Sequence, residues 1–131
     1  MRAYQLTLRI LAVGIFVVSL IHVIFGVGSE LFLGSGISDA SVLDPNLDSQ
    51  NRFYGAAFAL FGIVWWLSSS DILECKKLLT ASYLVFFVAG LTRILSIAVV
   101  GWPTAPILAL TAIELLLPIA LYVWLVKLED V

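Results

Sequence analysis

The sequence is poor in charged residues, which make up 12% of its 131 positions. A soluble domain carries about 25% charged residues, so this chain lacks the polar surface that keeps a protein dispersed in water. It has one cysteine, Cys75, and one histidine, His22. A lone cysteine excludes an internal disulfide or a thiolate cluster, and a haem or di-iron centre would need histidines from partner chains. We therefore predict no metal and no cofactor. With a net charge of −2 and no basic arm, nucleic acid is not expected as a partner.

Long apolar runs take the place of charge, because hydrophobic residues make up 62% of the chain. Four such runs cover approximately residues 8–28, 53–69, 78–100 and 105–126. A helix crosses the hydrocarbon core with about 20 apolar residues, and about 17–25 are tolerated. The sequence thus predicts an all-α integral membrane protein, in which residues 1–131 form one antiparallel four-helix bundle. The second run is the shortest and depends on its flanks.

The first run has some features of a signal peptide, because Arg2 and Arg9 precede it. Its apolar stretch is longer than the 7–15 residues or so of a signal-peptide core, and no small-residue cleavage site follows. We expect it to be a retained membrane helix.

The positive charges predict the orientation of the helices. Five of the seven Lys and Arg residues lie on one side of the predicted bundle. These are Arg2, Arg9, Lys76, Lys77 and Lys127. Positive residues mark the cytoplasmic face, so we predict that both termini face the cytoplasm of a bacterium and that the protein lies in its inner membrane.

The connection between the first two helices, residues 29–52, is long and acidic but contains several leucines, a phenylalanine and an isoleucine. Loops of this length in compact domains are usually functional or disordered. We expect it to lie over the outer mouth of the bundle, partly as a short amphipathic element.

Within this connection, Asp44, Asn46 and Asp48 have the spacing of a calcium-binding loop. However, Ser49 and Gly55 stand where an EF-hand needs its glycine and its glutamate. A turn followed by Asp48 as the N-cap of the second helix is the favoured interpretation.

Polar and small residues of each helix fall on one face when 100° per residue is assumed. Arg93 on the third helix and Glu114 on the fourth then face the bundle interior. At 1.5 Å per residue both lie roughly 10–13 Å below the outer end. An isolated charge at mid-membrane costs about 2.5–3.5 kcal/mol, whereas an arginine can bind a carboxylate through two N–H groups. A contact between Arg93 and Glu114 is the leading prediction. It either fixes helix register or forms part of a ligand site.

Further polar residues lie in the same outer half of the predicted bundle. The candidate ligand-binding set is His22, Glu30, Asn51, Arg52, Arg93, Ser96 and Glu114. On one helix, His22 and Glu30 are about two turns apart, too far for a direct bond unless the loop moves. His22 is expected to be hydrogen-bonded to a neighbouring helix, although proton transfer through His22 and Glu114 stays open. No set of residues predicts a catalytic centre.

Three segments, NRFYGAAFALFG, AGLTRILSI and AIELLLP, resemble a family of small bacterial four-helix membrane proteins called domain of unknown function 4345. Members combine an Arg that opens the second helix with Arg-x-x-Ser in the third and Glu in the fourth. The matching positions here are Arg52, Arg93 with Ser96, and Glu114. The resemblance covers nearly the whole chain and implies the four-helix fold, but it implies no activity, substrate or cofactor.

Three functional hypotheses follow. The first is a binding protein for a small amphiphile, such as a lipid, a fatty acid or a quinone-like molecule, with Arg52 and Arg93 at its polar end and the first loop as a lid. The second is an accessory subunit of a larger membrane complex. The third is a proton-coupled transporter that acts as a homodimer through Glu114 and His22, which the apolar inner half disfavours.

Overall fold

The computed structural model describes residues 1–129, and these contain helices and turns but no strand. The helical segments are α1 (Arg2–Phe25), a 3-10 turn (Gly26–Gly28), α2 (Ser29–Phe32), α3 (Asp39–Val42), α4 (Pro45–Ser68), α5 (Lys76–Val100) and α6 (Ala105–Glu129). The four long helices coincide with the four predicted apolar runs except at residues 26–28 and 69, which lie just beyond α1 and α4. The all-helical fold class is therefore confirmed over the described residues.

Three helical stretches are long and apolar enough to cross a membrane, namely Arg2–Phe32, Lys76–Val100 and Ala105–Leu128. This indicates a membrane protein. Helix α4, which contains the predicted span 53–69, is not one of the three. It opens with the polar stretch PNLDSQNR, and its remainder includes a tyrosine and two tryptophans. Its mean hydropathy is therefore lower than that of the other three long helices. Four spans remain a prediction.

The long helices pack in neighbouring pairs, α1 against α4 and α5 against α6, with α4 also contacting α5. We call the end that contains residues 26–44 and 101–104 the loop end. The opposite end, which contains the N-terminus and residues 69–75, is called the terminal end.

Most of the buried apolar core lies towards the terminal end, where Tyr4, Trp65 and Tyr83 are at most 2% exposed. The hydroxyl groups of Tyr4 and Tyr83 lie 2.6 Å apart, and Tyr4 donates a hydrogen bond to the carbonyl oxygen of Leu121 at 3.1 Å. The indole of Trp65 donates to Ser82 Oγ at 3.0 Å. Because their polar atoms are satisfied, these large rings are buried at little cost.

At the loop end, α1 stops at Gly26, whose φ of 54° suits glycine. The prediction that Asp48 caps the second helix is wrong. Helix α4 begins at Pro45, three residues before Asp48, and its N-cap is Asp44. The side chain of Asp44 accepts hydrogen bonds from the N–H groups of Asn46 and Leu47. Proline is favoured at the first helical position because that position needs no N–H partner, and this places the helix start at Pro45.

Candidate functional site

Arg93 and Glu114 form the predicted ion pair between α5 and α6. The arginine Nε donates to Glu114 Oε2 at 2.5 Å, and its Nη2 donates to Oε1 at 2.9 Å. The side chain of Glu114 is 13% exposed and that of Arg93 is 38% exposed. The two-pronged geometry orients the guanidinium as well as neutralising the carboxylate. The leading contact prediction is confirmed.

The backbone around Glu114 explains how α5 and α6 approach each other at this level. A Cβ on Gly90 would lie 2.9 Å from Leu115 Cδ2 and 3.2 Å from the carbonyl carbon of Glu114. The absence of a side chain at Gly90 thus permits close approach of the two helices.

Pro118, inside α6, has no N–H for the carbonyl of Glu114, four residues earlier. The turn that carries Glu114 therefore has one intrahelical hydrogen bond fewer than its neighbours.

A second polar group joins α1, α2 and α4 at the loop end. His22 Nε2 lies 3.8 Å from Glu30 Oε1. The same oxygen accepts a hydrogen bond from Asn51 Nδ2 at 3.3 Å, and Ser29 Oγ donates to Asn51 Oδ1 at 3.3 Å. His22 and Glu30 lie closer together than two turns of one continuous helix would place them, although no hydrogen bond joins them. Helix α1 is interrupted at Gly26, whose φ is 54°, and a 3-10 turn leads into α2.

His22 was expected to form a hydrogen bond with a neighbouring helix, but its Nδ1 bonds within its own helix. Nδ1 lies 2.8 Å from the carbonyl oxygen of Val18, one turn earlier in α1 itself. That bond holds the imidazole against its own helix and leaves Nε2 directed at Glu30.

Arg52 is bonded to groups of the chain itself. Its Nη1 donates to the carbonyl oxygens of Val23 and Ile24 at 2.6 and 2.8 Å, and its Nε donates to Asp48 Oδ2 at 2.7 Å. The last carbonyls of a helix lack intrahelical donors, so Arg52 satisfies the end of α1.

Asp48 completes this arrangement, because its Oδ1 accepts the N–H of Val27 at 3.2 Å, just beyond the break in α1. The hydrogen bond from Arg52 lowers the pKa of the Asp48 carboxyl below its ordinary value. The Arg52–Asp48 pair thus binds the start of α4 to the turn that follows α1.

Ser96 is exposed, and the expectation that it faces the bundle interior is wrong. The more buried positions of α5 are spaced by three or four residues and continue from Gly90 through Arg93 to Ile97. That path passes beside Ser96 and leaves it on the outer side of the helix.

An open cleft of about 390 Å³ lies between the first loop and the beginning of α6. Its lining residues are Phe32, Leu33, Gly34, Pro106, Ala109, Leu110 and Ile113. The first loop thus lies beside the beginning of α6, and the expectation that it covers the outer mouth of the bundle stays a prediction. Leu110 lies one turn before Glu114 on the same side of α6, and Leu33 follows Glu30 by three residues. The inner end of the cleft is therefore near the level of the ion pair.

All seven candidate residues thus lie in the half of the molecule towards the loop end. Six of them form two polar groups and one capping arginine, and Ser96 is exposed on the outer side of α5. Sequence reasoning missed three features of this region: the Asn51–Ser29 contact, the role of Asp48 and the apolar cleft. The Gly-Val-Gly stretch at residues 26–28 was the available signal for a break in α1. Among the described residues, no cluster of three or more His, Cys, Asp or Glu side chains is suited to a metal ion.

Comparison with known proteins identifies one family. The family model described as "Domain of unknown function (DUF4345)" matches residues 3–125. Neither a curated protein nor a solved structure matches the chain.

Proposed function

The chain belongs to this family of unknown function, and we propose that it binds a small amphiphile at the loop end of a membrane-embedded bundle. The proposal includes a fourth span formed by α4, both termini on the cytoplasmic side and insertion in a bacterial inner membrane. The positive residues near the terminal end support this orientation.

One observation carries the proposal. Arg93 uses Nε and Nη2 to hold Glu114, but its Nη1 has no hydrogen-bond partner among the described residues, and 38% of the side chain is exposed. In a bilayer no water is available to satisfy such N–H groups, and each unsatisfied group costs several kcal/mol. An acceptor supplied by a bound molecule would remove that cost.

The neighbouring cleft supports the same function. Ligand pockets usually measure about 300–1,000 Å³ and combine apolar walls with a few polar groups. The cleft of about 390 Å³ is at the small end of that range and has apolar walls. A ligand with its body in the cleft would reach the level of Arg93 with its polar end. Arg52 is left out of this contact because its guanidinium is occupied by α1 and Asp48.

The test uses a pair of matched variants of α6. Ala109 lines the cleft, whereas Ala112 is exposed on α6 outside it. We expect a small amphiphile to co-purify with the wild-type protein, to be lost in Ala109→Phe and to be retained in Ala112→Phe. Mass spectrometry of organic extracts and of the intact complex would measure this occupancy. Equal occupancy in both variants, or no bound molecule in the wild type, would contradict the proposal.

The accessory-subunit hypothesis makes a different prediction for the same nitrogen. A partner helix with a carbonyl or carboxylate at this depth would also satisfy Arg93 Nη1. Under this hypothesis, purification in mild detergent yields a second protein in fixed ratio. No bound amphiphile is then found in the wild type, in Ala109→Phe or in Ala112→Phe.

A further inference from the structure

Arg9 lies near the terminal end of α1, where the charged start of the helix gives way to its apolar stretch. It is exposed, and no Lys, Arg, Asp or Glu follows it in the chain until Glu30. It is seven residues beyond Arg2, which is about 10 Å along the helix axis. Because α1 belongs to a stretch that is long and apolar enough to cross a membrane, Arg9 places a positive charge at the boundary between lipid headgroups and hydrocarbon.

The guanidinium of Arg9 is held in place by two residues at the end of α4. Its Nε donates a hydrogen bond to Ser69 Oγ at 2.9 Å, and the same hydroxyl donates to the carbonyl oxygen of Trp66 at 2.7 Å. Ser69 is buried, so its hydroxyl is a fixed anchor. The guanidinium carbon lies 5.9 Å from the centre of the Trp66 ring, within the range of a cation–π interaction. These two contacts orient the plane of the guanidinium.

The same contacts leave the charge of Arg9 without a counter-ion. No carboxylate among the described residues forms an ion pair with it. Its terminal nitrogens, Nη1 and Nη2, have no hydrogen-bond partner among those residues. Because Nε is already used, the edge that remains is the pair of Nη nitrogens, which can donate to two oxygens of one anionic group.

The surface of α1 next to Arg9 suits a hydrocarbon chain. Val13, Val17 and Leu20 follow on the same side of the helix at spacings of three or four residues, and each is at least half exposed. Trp66, beside the guanidinium, is also exposed, and tryptophan is enriched at the membrane interface. A phospholipid has the same order of polarity, with its phosphate at the interface and its chains below. A free phosphate ion would gain nothing from the apolar stripe.

We propose that Arg9, oriented by Ser69 and Trp66, binds the phosphate of an anionic phospholipid in the leaflet at the terminal end. A lipid with a net negative charge is preferred, because the ammonium group of a zwitterionic headgroup already compensates part of the phosphate charge, whereas Arg9 has no other counter-ion. This site lies at the opposite end of the molecule from the loop-end cleft and does not depend on the amphiphile proposed there.

The experiment is native mass spectrometry of the full-length protein in a neutral detergent. The protein is titrated with dioleoyl phosphatidylglycerol or with the phosphatidylcholine that has the same chains, and the dissociation constant of the first bound lipid is measured. We expect phosphatidylglycerol to bind about fivefold more tightly. Millimolar inorganic phosphate should not displace it, because the chains contribute to binding. Displacement would identify free phosphate as the ligand and overturn the proposal.

Matched variants locate the bound lipid. Arg9→Gln should weaken phosphatidylglycerol binding about tenfold, because hydrogen bonds between charged groups are lost. Arg2→Gln removes the same charge from an exposed position of the same helix and should weaken binding less than about twofold, since it lies about one Debye length away. Arg9→Lys keeps the charge but loses the two-pronged geometry, so binding should weaken about threefold. Ala109→Phe, in the cleft at the loop end, should leave binding unchanged.

Four results would overturn the proposal. Equal affinity for the two lipids removes the preference for negative charge. An effect of Arg2→Gln as large as that of Arg9→Gln shows diffuse attraction by the whole basic end. Loss of phosphatidylglycerol in Ala109→Phe places the lipid in the cleft instead. Affinity in Arg9→Lys equal to that of the wild type shows a point charge rather than an oriented guanidinium. Far-ultraviolet circular dichroism of each variant separates loss of binding from loss of the fold.

Discussion

The ion pair between Arg93 and Glu114 gives the sharpest test of how this chain places charge among apolar helices. We consider Arg93→Gln, Glu114→Gln and the double variant. Removal of one partner of a buried pair leaves an uncompensated charge and costs about 3–5 kcal/mol. Here Glu114 is 13% exposed but Arg93 is 38% exposed, and in mixed micelles water reaches exposed groups that lipid covers in a bilayer, so the cost is reduced. We expect Arg93→Gln to lower the free energy of unfolding by about 2 kcal/mol.

The two single variants should differ, because their remaining charges have different freedom. In Glu114→Gln the long arginine side chain can reach towards the membrane surface, so we expect a loss of about 1 kcal/mol. In Arg93→Gln the short, buried carboxylate of Glu114 has no such route. In the double variant two amides can bond to each other, so its stability should lie within about 1 kcal/mol of the wild type.

The assay is reversible unfolding in mixed micelles of mild detergent and dodecyl sulfate, followed by far-ultraviolet circular dichroism. Arg2→Gln, at an exposed arginine, serves as the control and should change the free energy by less than about 0.5 kcal/mol. Additive effects of the two single changes, or a loss in Arg93→Gln no larger than that of the control, would refute the reasoning.

Two further predictions concern the contact between α1 and α4. In Gly55→Ala the new Cβ would lie 2.4 Å from the Cβ of His22, so the helices must separate and the free energy of unfolding should fall by about 1–3 kcal/mol. Gly14→Ala is the matched control in the same unfolding assay, because a Cβ there would meet nothing within 4 Å. Equal effects of the two variants would contradict the packing argument. Asp48→Asn should destabilise the protein at neutral pH, since Arg52 lowers the pKa of this carboxyl below its ordinary value of 3.8. Because the pKa of Asp48 is lower in the folded state than in the unfolded state, this stabilisation is complete above pH 3.8 and is lost as the pH falls further. The unfolding free energies of the wild type and Asp48→Asn should therefore converge in acid. A difference between them that does not change with pH would contradict this prediction.

The sequence was sufficient to predict the contact that depends on regular helices. Arg93 and Glu114 could be placed at one depth because α5 and α6 run through them with a constant rise per residue. The close approach at Gly90 then brings the two side chains together. Ser96 shows how coarse such an inference is, because the buried stripe passes from Arg93 to Ile97 and a small angular offset leaves Ser96 outside it.

Contacts that depend on a break in regular structure were beyond the sequence argument. His22 meets Glu30 only because α1 ends at Gly26 and the chain turns before α2. Arg52 was expected to bind a ligand, but that same turn brings the carbonyl groups of Val23 and Ile24 within its reach. The position of a helix end depends on long-range packing as well as on local sequence, so neither contact follows from spacing alone.

Under the proposed function, the terminal end of the molecule stabilises the fold and the loop end binds the ligand. At the terminal end, the polar atoms of Tyr4, Trp65 and Tyr83 are paired within the chain, so the interior of that region gains stability and has little to offer a ligand. At the loop end, Arg93 Nη1 has no hydrogen-bond partner among the described residues, and an apolar cleft lies between the first loop and the beginning of α6. Tyr83 and Arg93 are ten residues apart on α5, roughly 15 Å at the helical rise, and sites more than about 7–10 Å apart act nearly independently. Under the proposed function, substitutions at the loop end could therefore change the preferred ligand without loss of the core that holds the helices together.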